Sequence, residues 1–223
     1  MLINKRVLAY FYMPVLFFLT ATVILYILIL PFKDTATLLV NAVTVTNKEE
    51  MAQKSIFNED KAKDITPIND KIPSSQVEYP TLGTEYGAVV VNKHNIEAKL
   101  IYGDSLDDLR TGVGHFNGSV FPGEPGTTLI GGHNTADLAI LDQVEVGETI
   151  SIKTSYETYE YEVKEKKVLK YNDKQAIESL YEKSDNNQLI LYTCYPISMI
   201  GLTEDRLFVY AERISGKMID LDN

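Results

Sequence analysis

Hydrophobic and polar positions divide this chain into two unlike parts. From Val7 to Phe32 there is no Asp, Glu, Lys, Arg or His, a run of 26 residues. As a helix it would extend roughly 39 Å, against a bilayer hydrocarbon thickness of ~30 Å. A buried core helix of this kind would need about seven turns of apolar surface covered on every side. A cleavable secretory signal has a shorter apolar core followed by small residues, whereas this run closes on Ile27-Leu28-Ile29-Leu30-Pro31-Phe32. The pattern predicts a retained, single-pass transmembrane anchor at 7–32. Lys5 and Arg6 precede it and Lys33 and Asp34 follow it. That charge asymmetry keeps residues 1–6 in the cytoplasm and puts the remainder outside the cell membrane.

Residues 33–80 read as an extracellular stalk. From Asn47 to Pro80 the chain is rich in Lys, Glu, Asp and Asn, and Pro67, Pro73 and Pro80 break any continuous helix. From 81 to 215 the period changes to that of strands. Ala88–Val91, Ala98–Tyr102, Thr127–Gly132, Thr149–Ile152, Leu189–Thr193 and the run after Arg206 are short, β-branched and bounded by turn residues. Tyr159–Lys164 alternates apolar and charged residues, the mark of a strand with one face in water. Ala176, Ile177 and Leu180 lie at helical spacing behind a capping Asp173, predicting a short helix over 173–183, with another over 104–109. Many short strands with little helix predict an all-β domain, a closed or nearly closed β-barrel of about eight strands, followed by a tail at 216–223.

Charge narrows the partners. The chain holds 21 Lys and Arg and 31 Asp and Glu; three basic and no acidic residues fall in 1–33, so the part beyond carries a formal charge of −13. Such a field repels a phosphate backbone, which argues against a nucleic-acid partner. A single cysteine rules out an intrachain disulfide and a cysteine-rich metal site. The lone thiol is then either buried and inert or reactive.

Three candidate residues sit where strands end. Cys194 closes the run Leu189–Thr193, Arg206 opens the next run twelve positions later, and His133 follows Thr127–Gly132. If the strands are neighbours, a nucleophile, a proton carrier and an anion stabiliser share one cleft. A free thiol has a pKa of about 8.5, yet the thiolate is the attacking species, so an imidazolium at His133 and the Arg206 guanidinium would both favour it. Arg206 would stabilise an oxyanion and His133 would protonate a leaving amine. Alone, Arg206 reads as a surface ion-pair partner of Glu204 or Asp205. Thr193 reads equally as a substrate contact, a residue orienting the cysteine, or strand packing. His115 reads as a turn or capping residue and His94 as a solvated loop residue. Three scattered histidines lack metal-ligand spacing, no calcium-loop pattern is present, and the chemistry calls for no cofactor.

At these positions the chain resembles the sortases, membrane-anchored cysteine transpeptidases of Gram-positive cell surfaces. Their TLxTC signature aligns with Ile190-Leu191-Tyr192-Thr193-Cys194, differing at Ile190; the family's His aligns with His133 in Gly131-Gly132-His133-Asn134, and its Arg with Arg206. Cys194-Tyr195-Pro196, Gly114-His115-Phe116 and Phe121-Pro122-Gly123-Glu124 are most similar to class D. The resemblance implies cleavage of an LPXTG-like sorting signal between Thr and Gly and a thioacyl-enzyme at Cys194. It implies transfer of sorting-signal-bearing surface proteins to a cell-wall precursor amine. The alternatives are a hydrolytic cysteine peptidase, with water resolving the same intermediate, and a non-catalytic membrane-anchored β-domain.

Overall fold

The computed structural model describes residues 5–29, 54–179, 186–199, 201 and 203–222, which fall into two compact units, 1–47 and 48–223. The first contains one helix, α1, Lys5–Ile29. Its side chains from Tyr12 to Ile27 are exposed, although nearly all are apolar. Among the described residues no helix meets the length and apolarity of a membrane span. The fold therefore does not itself establish the crossing expected at 7–32, and Leu30–Phe32 lie outside the described residues.

The second unit is a closed barrel of eight strands. They are β2 (Thr84–Val91), β3 (Ile96–Tyr102), β4 (Val113–His115), β5 (Gly126–Gly132), β6 (Thr149–Thr154), β7 (Thr158–Lys170), β8 (Asn187–Tyr195) and β9 (Asp205–Ser215). Their order around the barrel is β2-β3-β4-β5-β8-β9-β7-β6, with β6 returning to β2. The pairs β3–β4 and β5–β8 are parallel and the rest antiparallel. Alternation sorts the side chains: Tyr159, Tyr161 and Val163 of β7, Leu189 and Leu191 of β8, and Leu207, Val209 and Ala211 of β9 fill the interior. A second, smaller cluster of Leu129, Ile190 and Phe208 packs on the opposite face of β5, β8 and β9, flanked by Phe116, Leu169, Tyr192 and Tyr210. Inside the barrel, Asn187 joins three segments. Its Oδ1 accepts from Tyr161 Oη, and its Nδ2 donates to the Glu124 carbonyl at 2.9 Å and to Thr128 Oγ1 at 3.1 Å.

Two segments differ from expectation. Residues 54–80, expected to stand off as stalk, lie on the barrel. Ile56 and Ile65 pack against the core and Ile72 is fully buried within it. β1 (Ile72–Pro73) pairs in parallel with β10 (Ile219–Asp220), so part of the expected tail joins the domain too. The reason is local: these apolar side chains are scattered through a largely polar segment at no regular interval, giving no period to read, yet each packs into or against the same core. β4 is only three residues long and had no strand pattern of its own. The helices are α2 (Asp108–Thr111), a single turn displaced from the predicted 104–109, and α3 (Lys174–Ser179); the remainder of the predicted 173–183 helix lies outside the described residues.

Ile72→Ala should cost about 2–4 kcal/mol, as a fully buried aliphatic truncation does. Ile68→Ala, at a side chain 52% exposed, should cost under about 0.5 kcal/mol. Urea denaturation of both variants checks this; equal stabilities would mean that residues 54–80 are not part of the cooperative unit.

Candidate active site

Register decides which side chains meet. Cys194 faces Arg206 across the β8–β9 ladder, and Gly132 pairs with Thr193 across β5–β8. His133, one residue past Gly132, is therefore level with Cys194 on its other flank. Parity then fixes the face. Leu191 and Thr193 are buried toward the interior, so Tyr192 and Cys194 point outward; Leu207 and Val209 are core residues, so Arg206 and Phe208 point outward. His133 continues the parity of Leu129, which lies in the outer cluster. The three predicted residues thus form one level on the outside of the barrel, on strands about 4.8 Å apart.

Below this level the outer face descends in steps. The second level is Gly131, Tyr192, Phe208 and Lys167; the third is Leu129, Ile190, Tyr210 and Glu165; the fourth is Thr127, Gln188 and Glu212. Gly131 is needed where it is, because a Cβ there would sit 2.4 Å from Tyr192 Cζ. The tyrosine ring lies over that glycine and stacks on Phe208 with centroids 5.9 Å apart.

Thr193 is fully buried, on the face opposite Cys194, and donates from Oγ1 to the Gly132 carbonyl at 2.9 Å. Of the roles expected for it, packing and orientation fit this geometry; direct contact with substrate does not. It pins β8 to β5 beside both His133 and Cys194. Asn134, 7% exposed, does the same for the loop after the cysteine. Its Nδ2 donates to the carbonyls of Pro196 (3.1 Å), Ile197 (3.4 Å) and Met199 (2.9 Å). Sequence reasoning passed over Asn134; an amide directly after a strand-end histidine was the available signal.

Arg206 makes no ion pair with Glu204 or Asp205. Its Nη1 donates to the Thr203 carbonyl at 2.7 Å, Thr203 Oγ1 at 3.1 Å and the Asp205 carbonyl at 2.9 Å, while Glu204 pairs with Lys170 at 3.1 Å. Its other guanidinium nitrogens have no hydrogen-bond partner among the described residues. His133 is half-buried, and that burial, followed by the Arg110 guanidinium, holds its pKa below the ordinary imidazole value. At neutral pH the ring is mostly neutral, which disfavours the resting imidazolium expected from sequence and leaves a group ready to accept a proton.

The other histidines lie elsewhere. His115, expected at a turn, is wholly buried at the end of β4, with Nδ1 2.8 Å from Tyr86 Oη and Nε2 2.9 Å from Ser119 Oγ. Burial pushes its pKa down to about 4. His94, expected in solvent, is half-buried with Nε2 2.9 Å from Glu148 Oε2.

A sequence model of the sortase domain matches residues 89–214, more than half of the chain. The chain belongs to the sortase family. It is accordingly an enzyme, a cysteine transpeptidase. This sortase is 32% identical over 136 residues to Sortase D of Bacillus subtilis (strain 168), covering 61% of this chain and 67% of that relative. Among solved structures, the Clostridium perfringens Sortase D5 transpeptidase matches at 25% identity and a TM-score of 0.55, over 72% of this chain and 91% of that one. Sortase C1 of Streptococcus agalactiae, in complex with MTSET, matches at 28% identity and a TM-score of 0.52, over 59% and 68%.

Removing the Arg110 charge removes one of the two influences that lower the His133 pKa. In Arg110→Gln the His133 ring should titrate at higher pH than in the parent, as followed by its carbon-bound proton resonances across pH 4–9. An unchanged midpoint, or a lower one, would mean that Arg110 does not act on this ring.

Proposed function

We propose that this sortase cleaves an LPXTG-like sorting signal between Thr and Gly, with Cys194 as nucleophile, His133 as general base and acid, and Arg206 as oxyanion stabiliser. As the Cys194 sulfur bonds to the Thr carbonyl carbon, His133 takes the thiol proton. Arg206, held by Nη1 to its own loop, directs its remaining donors at the developing oxyanion. The C–N bond then breaks, His133 gives the proton to the departing Gly amine, and a thioacyl-enzyme remains. An amine of the cell-wall precursor attacks the thioester, passes a proton to His133, and expels the sulfur, which is reprotonated.

The observation that carries this reading is the register across β5, β8 and β9, which makes the three residues neighbours on one outward face. The levels below support the substrate class. The half-buried rings of Tyr192 and Tyr210 lie over the packed layer of Leu129, Ile190 and Phe208, an apolar surface suited to Leu and Pro of the motif. Membrane attachment belongs to the same proposal. Residues 7–32 anchor the chain with residues 1–6 inside, and the catalytic domain works outside on surface proteins. The exposed apolar side chains from Tyr12 to Ile27 support it, since water would not tolerate such a helix bare.

Incubation with an LPXTG-type peptide should add the mass of its acyl part to Cys194, and Cys194→Ala should form no adduct. Arg206→Lys keeps the charge but loses the planar fork, and should lower turnover about 100-fold or more. Adding an amine should divert product from acid to amide. Near-parental turnover in Arg206→Lys would remove that residue from the chemistry, and a product mixture indifferent to amine would make the enzyme a hydrolase.

A further inference from the structure

The outer groove is longer than the motif it is proposed to hold. Successive levels along a strand are about 6.7 Å apart, so the fourth level lies about 20 Å from Cys194. The four residues from Leu to the scissile Thr, fully extended, reach only about 10 Å from first to last Cα. With Thr at the first level, Leu comes to rest between the second and third. The groove nevertheless continues into a cleft of about 500 Å3 lined by Lys164, Lys167, Glu178, Gln188, Tyr210 and Glu212, among others. α3 contributes Glu178 to its wall; Lys167 of the second level and Ile190 and Tyr210 of the third form its near end, and Gln188 and Glu212 of the fourth its far end.

We propose that this cleft binds the extended stretch of substrate polypeptide that precedes the sorting motif, at the second and third residues before its Leu. The assignment rests on the catalytic reading above, because that reading sets where the acyl chain begins; the apolar second and third levels set the direction in which it runs. Apolar Leu and Pro belong on the aromatic second and third levels, so the chain before them passes over the fourth. The chemistry of the occupant follows from the lining. Lys164 is paired with Glu162 and Lys167 with Glu165, each at 2.8 Å. Glu212 interacts electrostatically with Lys164, and Glu178 is exposed with no ion-pair partner among the described residues, so with Glu165 the lining holds three acidic side chains against two basic ones. The cleft therefore accepts a polar, extended peptide and favours basic over acidic side chains at those two positions.

The test uses the full-length chain in detergent with three peptides: Leu-Pro-Ala-Thr-Gly alone, and the same motif preceded by Ala-Lys-Lys-Ala or by Ala-Glu-Glu-Ala. The kcat/KM for adduct formation at Cys194 should be about three- to tenfold higher for the lysine extension than for the glutamate extension. That ratio should shrink as salt is raised, as expected for exposed charges. The double variant Glu178→Lys, Glu212→Lys should invert the order, an outcome that mere loss of structure cannot produce. Equal rates for all three peptides, with the bare motif still forming adduct, would overturn the cleft assignment and leave the catalytic reading intact. Failure of every peptide, the bare motif included, would instead defeat the catalytic reading and the subsite with it. Substitutions that change only the amine-resolution step would give the cleft to the acceptor and overturn the proposal.

Discussion

The register of β8 between β5 and β9 is the constraint on which this site depends. Side chains alternate along a strand, so a slip of one residue would turn Cys194 into the barrel and expel Leu189, Leu191 and Thr193. Burying a large aliphatic side chain is worth about 1.5–3 kcal/mol, and Leu189 and Leu191 are both fully buried. Losing two or three such residues would cost several kcal/mol, a large fraction of the ~5–15 kcal/mol by which domains are stable. Core packing and the placement of the thiol are thus one choice. The same choice on β9 turns Leu207 and Val209 inward and Arg206 outward.

Polar pins refine what the ladder sets. Thr193 fastens β8 to the carbonyl of Gly132, and Asn134 gathers three carbonyls of the loop after the cysteine, so the residues flanking His133 and Cys194 are tied to one another. Arg206 is tied through one nitrogen only, which fixes the plane of the guanidinium while leaving donors for a reacting oxygen. A planar fork can do both at once; an ammonium cannot. Because burial and Arg110 keep His133 mostly neutral, the sulfur anion need not exist before substrate arrives. In the proposed mechanism proton transfer and attack are coupled, with the positive charge on the ring appearing as the negative charge appears on oxygen.

Period and strand ends made much of this legible in sequence. β7 alternates because one face meets water, and β8 and β9 are apolar because their inner faces fill the core, so the adjacency of Cys194 and Arg206 could be inferred from their strand-end positions. What escaped was held by single contacts. Ile56, Ile65 and Ile72 lack any shared period, and their burial depends on grooves that exist only after the barrel closes. His115 looked like a turn residue because its neighbours are Gly and Phe; its satisfaction by Tyr86, 29 positions away, is a tertiary fact. The inward face of Thr193 follows from parity, but only once Cys194 is taken as outward.

The outer cluster shows how the two faces of the same strands divide their work. Leu129, Ile190 and Phe208 are 7%, 2% and 8% exposed although they face away from the core. Their cover comes from Phe116, Leu169, Tyr192 and Tyr210, so this floor is packed by the protein's own side chains. A floor already assembled loses little side-chain freedom when substrate binds, and that saving appears as affinity. It also limits what the floor can distinguish, since only the partly exposed surfaces of Phe116, Leu169, Tyr192 and Tyr210 remain to be touched. Under the proposed function, discrimination between polypeptides that share one short motif would then come from the walls and the far end of the groove, where charged side chains replace apolar ones.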